Sequence, residues 1–206
     1  MSQPTIYSIS RTDIELSKST GYLSEKIIKF YFAYLNEQFT IHGKLQLLIC
    51  SDFEPTNSPD TINQLKSVME SQVEYSLIAV CGRKTETDLG GSQVSLMEVE
   101  RQGNQLTLRH FDCRSYTNSA AARHVAEAIN RLVPLNMTIK PSVNDDLFEE
   151  ASCPQLTGTY DSGAYVLCCS EILCRTRSGL FSIEVTSLDN RMITNFASKI
   201  LDMLNV

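Results

Sequence analysis

The stretch "GTYDSGAYVLC", residues 158–168, places a small hydroxyl residue, Ser162, between Asp161 and Gly163 at the head of an apolar run with helical character. A serine in that place is a nucleophile, a helix cap or the remains of a nucleophile. The exposed N–H groups and positive dipole end of a helix start favour an anion, which suits a nucleophile. Taken alone, Ser162 or Asp161 reads more simply as an N-cap, so partners elsewhere in the chain have to decide.

The 206 residues form a chain long enough for one buried core, and one domain over 1–206 is the expectation. No apolar run approaches the ~20 residues that a membrane helix needs. A formal net charge of −6 with no cluster of Lys and Arg argues against nucleic acid and favours a basic protein surface as partner. The start, "MSQPTIYSIS", has neither the basic head nor the apolar stretch of a secretory signal, so the cytoplasm or nucleus is expected. There the seven cysteines are thiols, and Cys50, Cys81, Cys113, Cys168, Cys169 and Cys174 lie in or beside apolar stretches as small hydrophobes. With no C-x-x-C pair, neither a metal nor another cofactor is expected.

Outward from the 158–168 stretch, "TIYSIS" (5–10) alternates like a short strand, followed by a helix with Ile27, Phe30, Tyr31 and Tyr34 at helical spacing. "LQLLIC" (45–50) reads as a buried strand, "SDFEPTNSPD" as a loop ending near an Asp cap, and "TINQLKSVMES" as a short helix. Strand candidates follow at 74–82, 93–101 and 106–113, the last two joined as a hairpin by "QGN". The helix after them has Asn118 or Ser119 as cap and Ala122, Val125, Ile129 and Leu132 on one face. "NMTIKP" suits one more strand and 141–157 a loop. After the helix opened by "DSG" comes a final helix with Ile193, Phe196, Ile200 and Leu204 inward. This order is α+β.

Nucleophilic hydrolysis needs a nucleophile, a base, a group that orients the base, and donors for the developing oxyanion. Asp112, at a strand end, suits the orienting acid; the base is missing. His110 lies two residues before Asp112, on the same strand face, but a side chain leaving there starts on the wrong side of the Asp to bridge it to Ser162. His124, one turn into the following helix among polar neighbours, reads as a solvated surface residue.

"GTYDSGAYVLCCSEILC" (158–174) resembles the nucleophile segment of the Ulp and sentrin-specific cysteine proteases, which act on ubiquitin-like modifiers: a Gln, four residues, then Asp-Cys-Gly opening the central helix. "GGSQVSLMEV" (90–99) is similar to their Gly-Gly-Thr-His-Trp-Ser-Leu segment with the catalytic His. "RHFDCRSYTNSAAARHVAEAI" (109–129) resembles the strand with the catalytic Asp and the next helix, and "GYLSEKIIKFYFAYL" (21–35) the early Trp-Leu-Asn-Asp motif. The likeness covers most of the chain and is nearest the deneddylating branch. It implies a papain-like α+β fold, a central mixed sheet flanked by helices.

The departures fall on the chemical positions. By the resemblance, Ser162 stands where the family has its nucleophilic Cys, Gln93 where it has the general-base His, and Val94 where a Trp roofs the modifier's Gly-Gly tail. Leu156 stands at the oxyanion-hole Gln, with Gln155 one register step away. Tyr22 replaces the tunnel Trp, and Glu25 matches an acidic position able to pair with a modifier's basic tail. Asp112 alone keeps its catalytic identity. The loop "RKTETDLGG" (83–91) reads either as a flexible connection or, by the resemblance, as the region near which the related enzymes grip their modifier. A carboxamide at 93 cannot take and return a proton, and losing one member of such a unit costs on the order of 10⁴ to 10⁶ in rate. The expectation is an inactive relative, a pseudoprotease kept as a protein-interaction scaffold. Two alternatives stay open: the old groove, with Tyr22, Glu25 and Val94, still holds a ubiquitin-like modifier; or a live deneddylase-like enzyme carries a Cys-to-Ser change. That change accounts for Ser162 but not for Gln93, Val94, Leu156 or the absence of Trp.

Overall fold

Strand β2 (Tyr75–Cys81) is buried on both faces, and its alternation sorts the rest of the chain. Leu77, Ala79 and Cys81 turn to one apolar cluster, while Ile78 and Val80 turn to another. The computed structural model describes residues 9–20, 23–39, 45–50, 59–70, 73–82, 93–115, 117–142, 146–156, 162–180 and 183–204. In it β2 pairs in parallel with β1 (Leu45–Cys50) and antiparallel with β3 (Val94–Gln102), which pairs antiparallel with β4 (Gln105–Phe111). Two short strands, β5 (Thr138–Ile139) and β6 (Glu149–Glu150), run parallel to β4. The sheet is mixed, as expected, and the hairpin is closed at Gly103, whose φ of +60° suits a residue without Cβ.

Helices cover both faces. The cluster on the Leu77 side takes residues from α2 (Glu25–Phe39), α5 (Ser162–Arg177) and α6 (Asn190–Met203). The Ile78 side is covered by α3 (Pro59–Glu70) and α4 (Ser119–Leu132). Within α5 every residue from Ser162 to Ser170 is buried, so it is a helix enclosed on all sides and not a surface helix with one apolar stripe. It ends at Gly179, with φ +72° and the Leu180 N–H returning to the Arg175 carbonyl.

Side chains fasten α5 to its neighbours. The Tyr31 hydroxyl of α2 donates to Glu171 at 2.5 Å, and Arg175 pairs with the same carboxylate. Arg177 at the end of α5 and Arg109 on β4 both pair with Glu98 of β3, at 2.8 and 3.1 Å, and the Glu98 side chain is 0% exposed. Arg109 also reaches Glu100 at 2.7 Å, and the Arg177 guanidinium lies 4.7 Å from the Tyr75 ring centroid. Burial raises the Glu100 carboxyl, but hydrogen bonds from Gln102 and Arg109 outweigh it and hold the group below the usual glutamate range.

The margin of the sheet at β1 is blunted by one side chain of α2. Asn36 donates from Nδ2 to the Leu47 carbonyl and accepts the Leu47 N–H on Oδ1, both at 3.0 Å.

Several elements differ from expectation. The strand expected over 5–10 lies mostly outside the described residues, and residues 9 and 10 carry no strand pairing. Between it and α2 stands an unexpected helix, α1 (Arg11–Thr20), opened by a reciprocal cap in which Ser10 and Asp13 exchange hydrogen bonds at 3.0 and 3.2 Å. The inner face of α2 is Ile27, Ile28, Tyr31, Phe32, Leu35 and Phe39; Phe30 and Tyr34, expected inward, are only half-buried. Helix α3 starts at Pro59, so Asp60 lies in its first turn and is not its cap. The 141–157 segment, expected as loop, carries β6. On α6, Ile193 and Ile200 are buried and Phe196 and Leu204 half-buried against the core, as the spacing predicts.

Candidate functional site

Strand β4 stops at Phe111, which pairs with Leu96, and the next residue, Asp112, turns the chain. Its carboxylate is 3% exposed and takes two backbone N–H groups, from Arg114 at 2.9 Å on Oδ1 and from Asn118 at 2.8 Å on Oδ2. This organises the turn that leads into α4. Ser115 in that turn has φ +50°, a conformation rare without glycine. The strip 153–156 lies along the same turn. Gln155 donates from Nε2 to the Asp112 carbonyl at 3.0 Å and accepts the Ser115 N–H on Oε1, and the Leu156 N–H donates to the Cys113 carbonyl at 2.7 Å. Of the two register choices for an oxyanion donor, the Gln155 amide is thus engaged by the turn, while Leu156 packs half-buried against the core.

Ser162 is the first residue of α5 and 5% exposed. Its hydroxyl oxygen accepts the Val94 N–H at 3.1 Å, which joins the helix start to the start of β3. Val94 is buried in the Leu77-side cluster, and Gln93 before it accepts the Gly82 N–H at 2.7 Å on its carbonyl. Positions 93, 94 and 162 therefore converge at the end of the sheet where Asp112 begins its turn. Glu25 stands apart, exposed at the head of α2 and paired with Lys29 at 2.5 Å. Tyr22, Asp161 and the 83–91 loop lie outside the described residues.

The two described histidines are elsewhere. His124 is exposed on α4, as expected. His110 is 0% exposed, with Nε2 2.8 Å from Ser95 Oγ and Nδ1 2.7 Å from Glu150 Oε2. Ser162 holds a hydrogen bond from a backbone amide, and both His110 ring nitrogens are taken by other residues. The described thiols near the site are weakly acidic: burial, reinforced by the Asp112 charge, pushes Cys113 up, and burial pushes Cys168 up to about 12. The Cys50 side chain lies outside the described residues.

Asn118 is the residue whose part the sequence concealed. It occupies the N-cap position of α4, yet its side chain makes no cap bond. Instead Nδ2 donates to the Val80 carbonyl and to Ser95 Oγ, each at 2.7 Å. A Cβ at Gly82 would stand 2.2 Å from Asn118 Oδ1, so even alanine is excluded there unless the asparagine leaves its partners. Gly82→Ala is expected to lower stability by about 1–3 kcal/mol in urea unfolding, the range for forcing a methyl into packed structure; an unchanged midpoint would refute the clash.

No protein-family model matches the chain. Sentrin-specific protease 8 of Mus musculus is 26% identical over 174 residues, covering 82% of this chain and 75% of the relative. The Homo sapiens protein of the same name is 25% identical over 173 residues, covering 81% and 77%. Among solved structures, the SUMO protease Ulp1 with its catalytic cysteine oxidised to a sulfinic acid superposes with a TM-score of 0.59 at 15% identity, covering 98% of this chain and 87% of that one. The Legionella pneumophila effector RavZ superposes with a TM-score of 0.55 at 11% identity, covering 85% and 62%. The fold is shared with both.

Proposed function

Starting from a chain that resembles the Ulp and sentrin-specific cysteine proteases in sequence and fold, we propose that this deneddylase-like relative no longer hydrolyses and serves as a protein-interaction module. The observation that carries the reading is that the Ser162 hydroxyl accepts the Val94 N–H, with Gln93, a side chain that cannot act as a base, next to Val94 in the chain. A serine hydroxyl does not ionise at neutral pH and attacks only when a base takes its proton. Gln93 is no base, and Asp112 serves the turn before α4 through both carboxylate oxygens. The net charge of −6 suits a basic partner surface, met in the cytoplasm or nucleus where the thiols stay reduced.

A second reading keeps a ubiquitin-like modifier in the old groove, and the exposed Glu25 at the head of α2 favours it. Against it stand Tyr22 and Val94, which by the resemblance replace two tryptophans and remove stacking walls. A titration of the chain with fluorescently labelled ubiquitin-like modifiers separates the two. The scaffold reading expects no saturation at micromolar concentrations; saturable micromolar binding weakened by Glu25→Lys would move the function into the groove.

A further inference from the structure

On the α4 side of the sheet, behind the candidate site, five polar side chains form a continuous row in an otherwise apolar layer. Asn118 Nδ2 lies 2.7 Å from Ser95 Oγ, Ser95 Oγ 2.8 Å from His110 Nε2, and His110 Nδ1 2.7 Å from Glu150 Oε2, with the Ser119 hydroxyl 2.5 Å from the other Glu150 oxygen. A hydroxyl, an imidazole and a carboxylate in series resemble a hydrolytic triad, but Ser95 and His110 are each 0% exposed, so no substrate reaches them. The row has a structural use. Counting donors settles its direction: Asn118 Nδ2 can only donate, so Ser95 Oγ accepts from it and has one proton of its own to place. That proton has two acceptors in reach, His110 Nε2 at 2.8 Å and the Val80 carbonyl at 3.5 Å, and the shorter bond is much the better. With Nε2 accepting, the proton on the ring belongs to Nδ1 and points at Glu150.

We propose that His110 is a neutral imidazole in a one-way row from Asn118 through Ser95 to Glu150, and that this row fastens β6 to the sheet and so positions the 153–156 strip against the Asp112 turn. An imidazolium would make Ser95 Oγ accept Nε2–H beside the Asn118 amide and so push the serine proton to the 3.5 Å partner. It would also bury a charge beneath Phe148, whose ring meets His110 edge-on at 5.7 Å and has the Arg123 guanidinium 5.6 Å from its centroid on its own account. The same residues tie the backbone: the Ala151 N–H donates to the His110 carbonyl at 2.8 Å, and five residues on, Leu156 donates to Cys113. The row keeps this part whether the chain hydrolyses or binds a modifier.

Amide hydrogen exchange at Ala151 and Leu156, with Leu77 and Ile78 of β2 as internal references, tests it on three full-length variants. Glu150→Ala removes the end of the row and is expected to speed exchange at Ala151 and Leu156 about tenfold over the references, the effect of losing a hydrogen bond to a charged acceptor. Glu150→Gln keeps an oxygen for Nδ1–H and an amide for Ser119, so exchange stays within about threefold of the unaltered chain, since a neutral ring does not need the charge. Glutamine as harmful as alanine would show an ion pair and overturn the neutral assignment; an alanine variant without effect would overturn the fastening. Should Glu150→Ala not fold, Ser119→Ala is read the same way, and the ring ¹⁵N spectrum of the unaltered chain decides on its own. One protonated nitrogen at Nδ1 supports the row, and Nε2–H or a doubly protonated ring refutes it.

Discussion

Ser162→Cys, presented with a ubiquitin-like modifier bearing a fluorogenic C-terminal amide, is expected to release no fluorophore above the buffer rate. A thiol at the head of α5 gains from the helix dipole, and its ordinary ionisation near pH 8.5 makes it a far better nucleophile than the hydroxyl. Nucleophilicity is half of the task. The departing amine has to receive a proton, and by the resemblance an imidazole would do that work at the position this chain fills with Gln93. Removing that group costs on the order of 10⁴-fold or more even when the nucleophile is intact. Adding Gln93→His to Ser162→Cys puts an imidazole where the resemblance expects the base, and a rise over the single variant would show that the rest of the site keeps its shape. Turnover by Ser162→Cys alone, or by the unaltered chain, would mean a live enzyme and end the interaction-module reading.

Glu98→Ala should cost about 3–5 kcal/mol in urea unfolding, the range for breaking a buried ion pair by removing one partner. The carboxylate is 0% exposed and holds two guanidiniums, Arg109 on the neighbouring strand and Arg177 at the end of α5. Without it two partly buried cations each lose a counter-charge, leaving Arg109 with Glu100 and Arg177 with the Tyr75 ring. A loss under about 1 kcal/mol, the size of an exposed surface pair, would show that the cluster is solvated and contributes little.

The sheet was legible because burial on both faces writes β2 as a near-continuous apolar run and ties β3 to β4 through a two-residue turn at Gly103. Helix α5 was legible for a similar reason: an apolar stretch opened by a small hydroxyl residue and closed by Gly179. Helix α1 escaped because its apolar pattern is thin, with Ile14 the sole buried hydrophobic residue in RTDIELSKST. The signal available was the capping pair Ser10 and Asp13, three apart. Strand β6 is two glutamates, a composition that no strand propensity favours; it pairs because His110 and Glu150 meet across the sheet. At the site, motif spacing brought positions 93, 94, 112 and 162 to one end of the sheet. Spacing could not foresee that Asn118 would forgo its own helix to reach Val80 and Ser95, because a local rule ranks caps and a distant strand supplied the better partners.

The Asn36 amide answers both backbone groups of Leu47 as a neighbouring strand would. An extended peptide approaching that flank would find its docking bonds already spoken for at Leu47 and would have to displace a side chain anchored in a packed helix. At Leu47, therefore, recognition falls to side-chain shape and charge rather than to main-chain zippering.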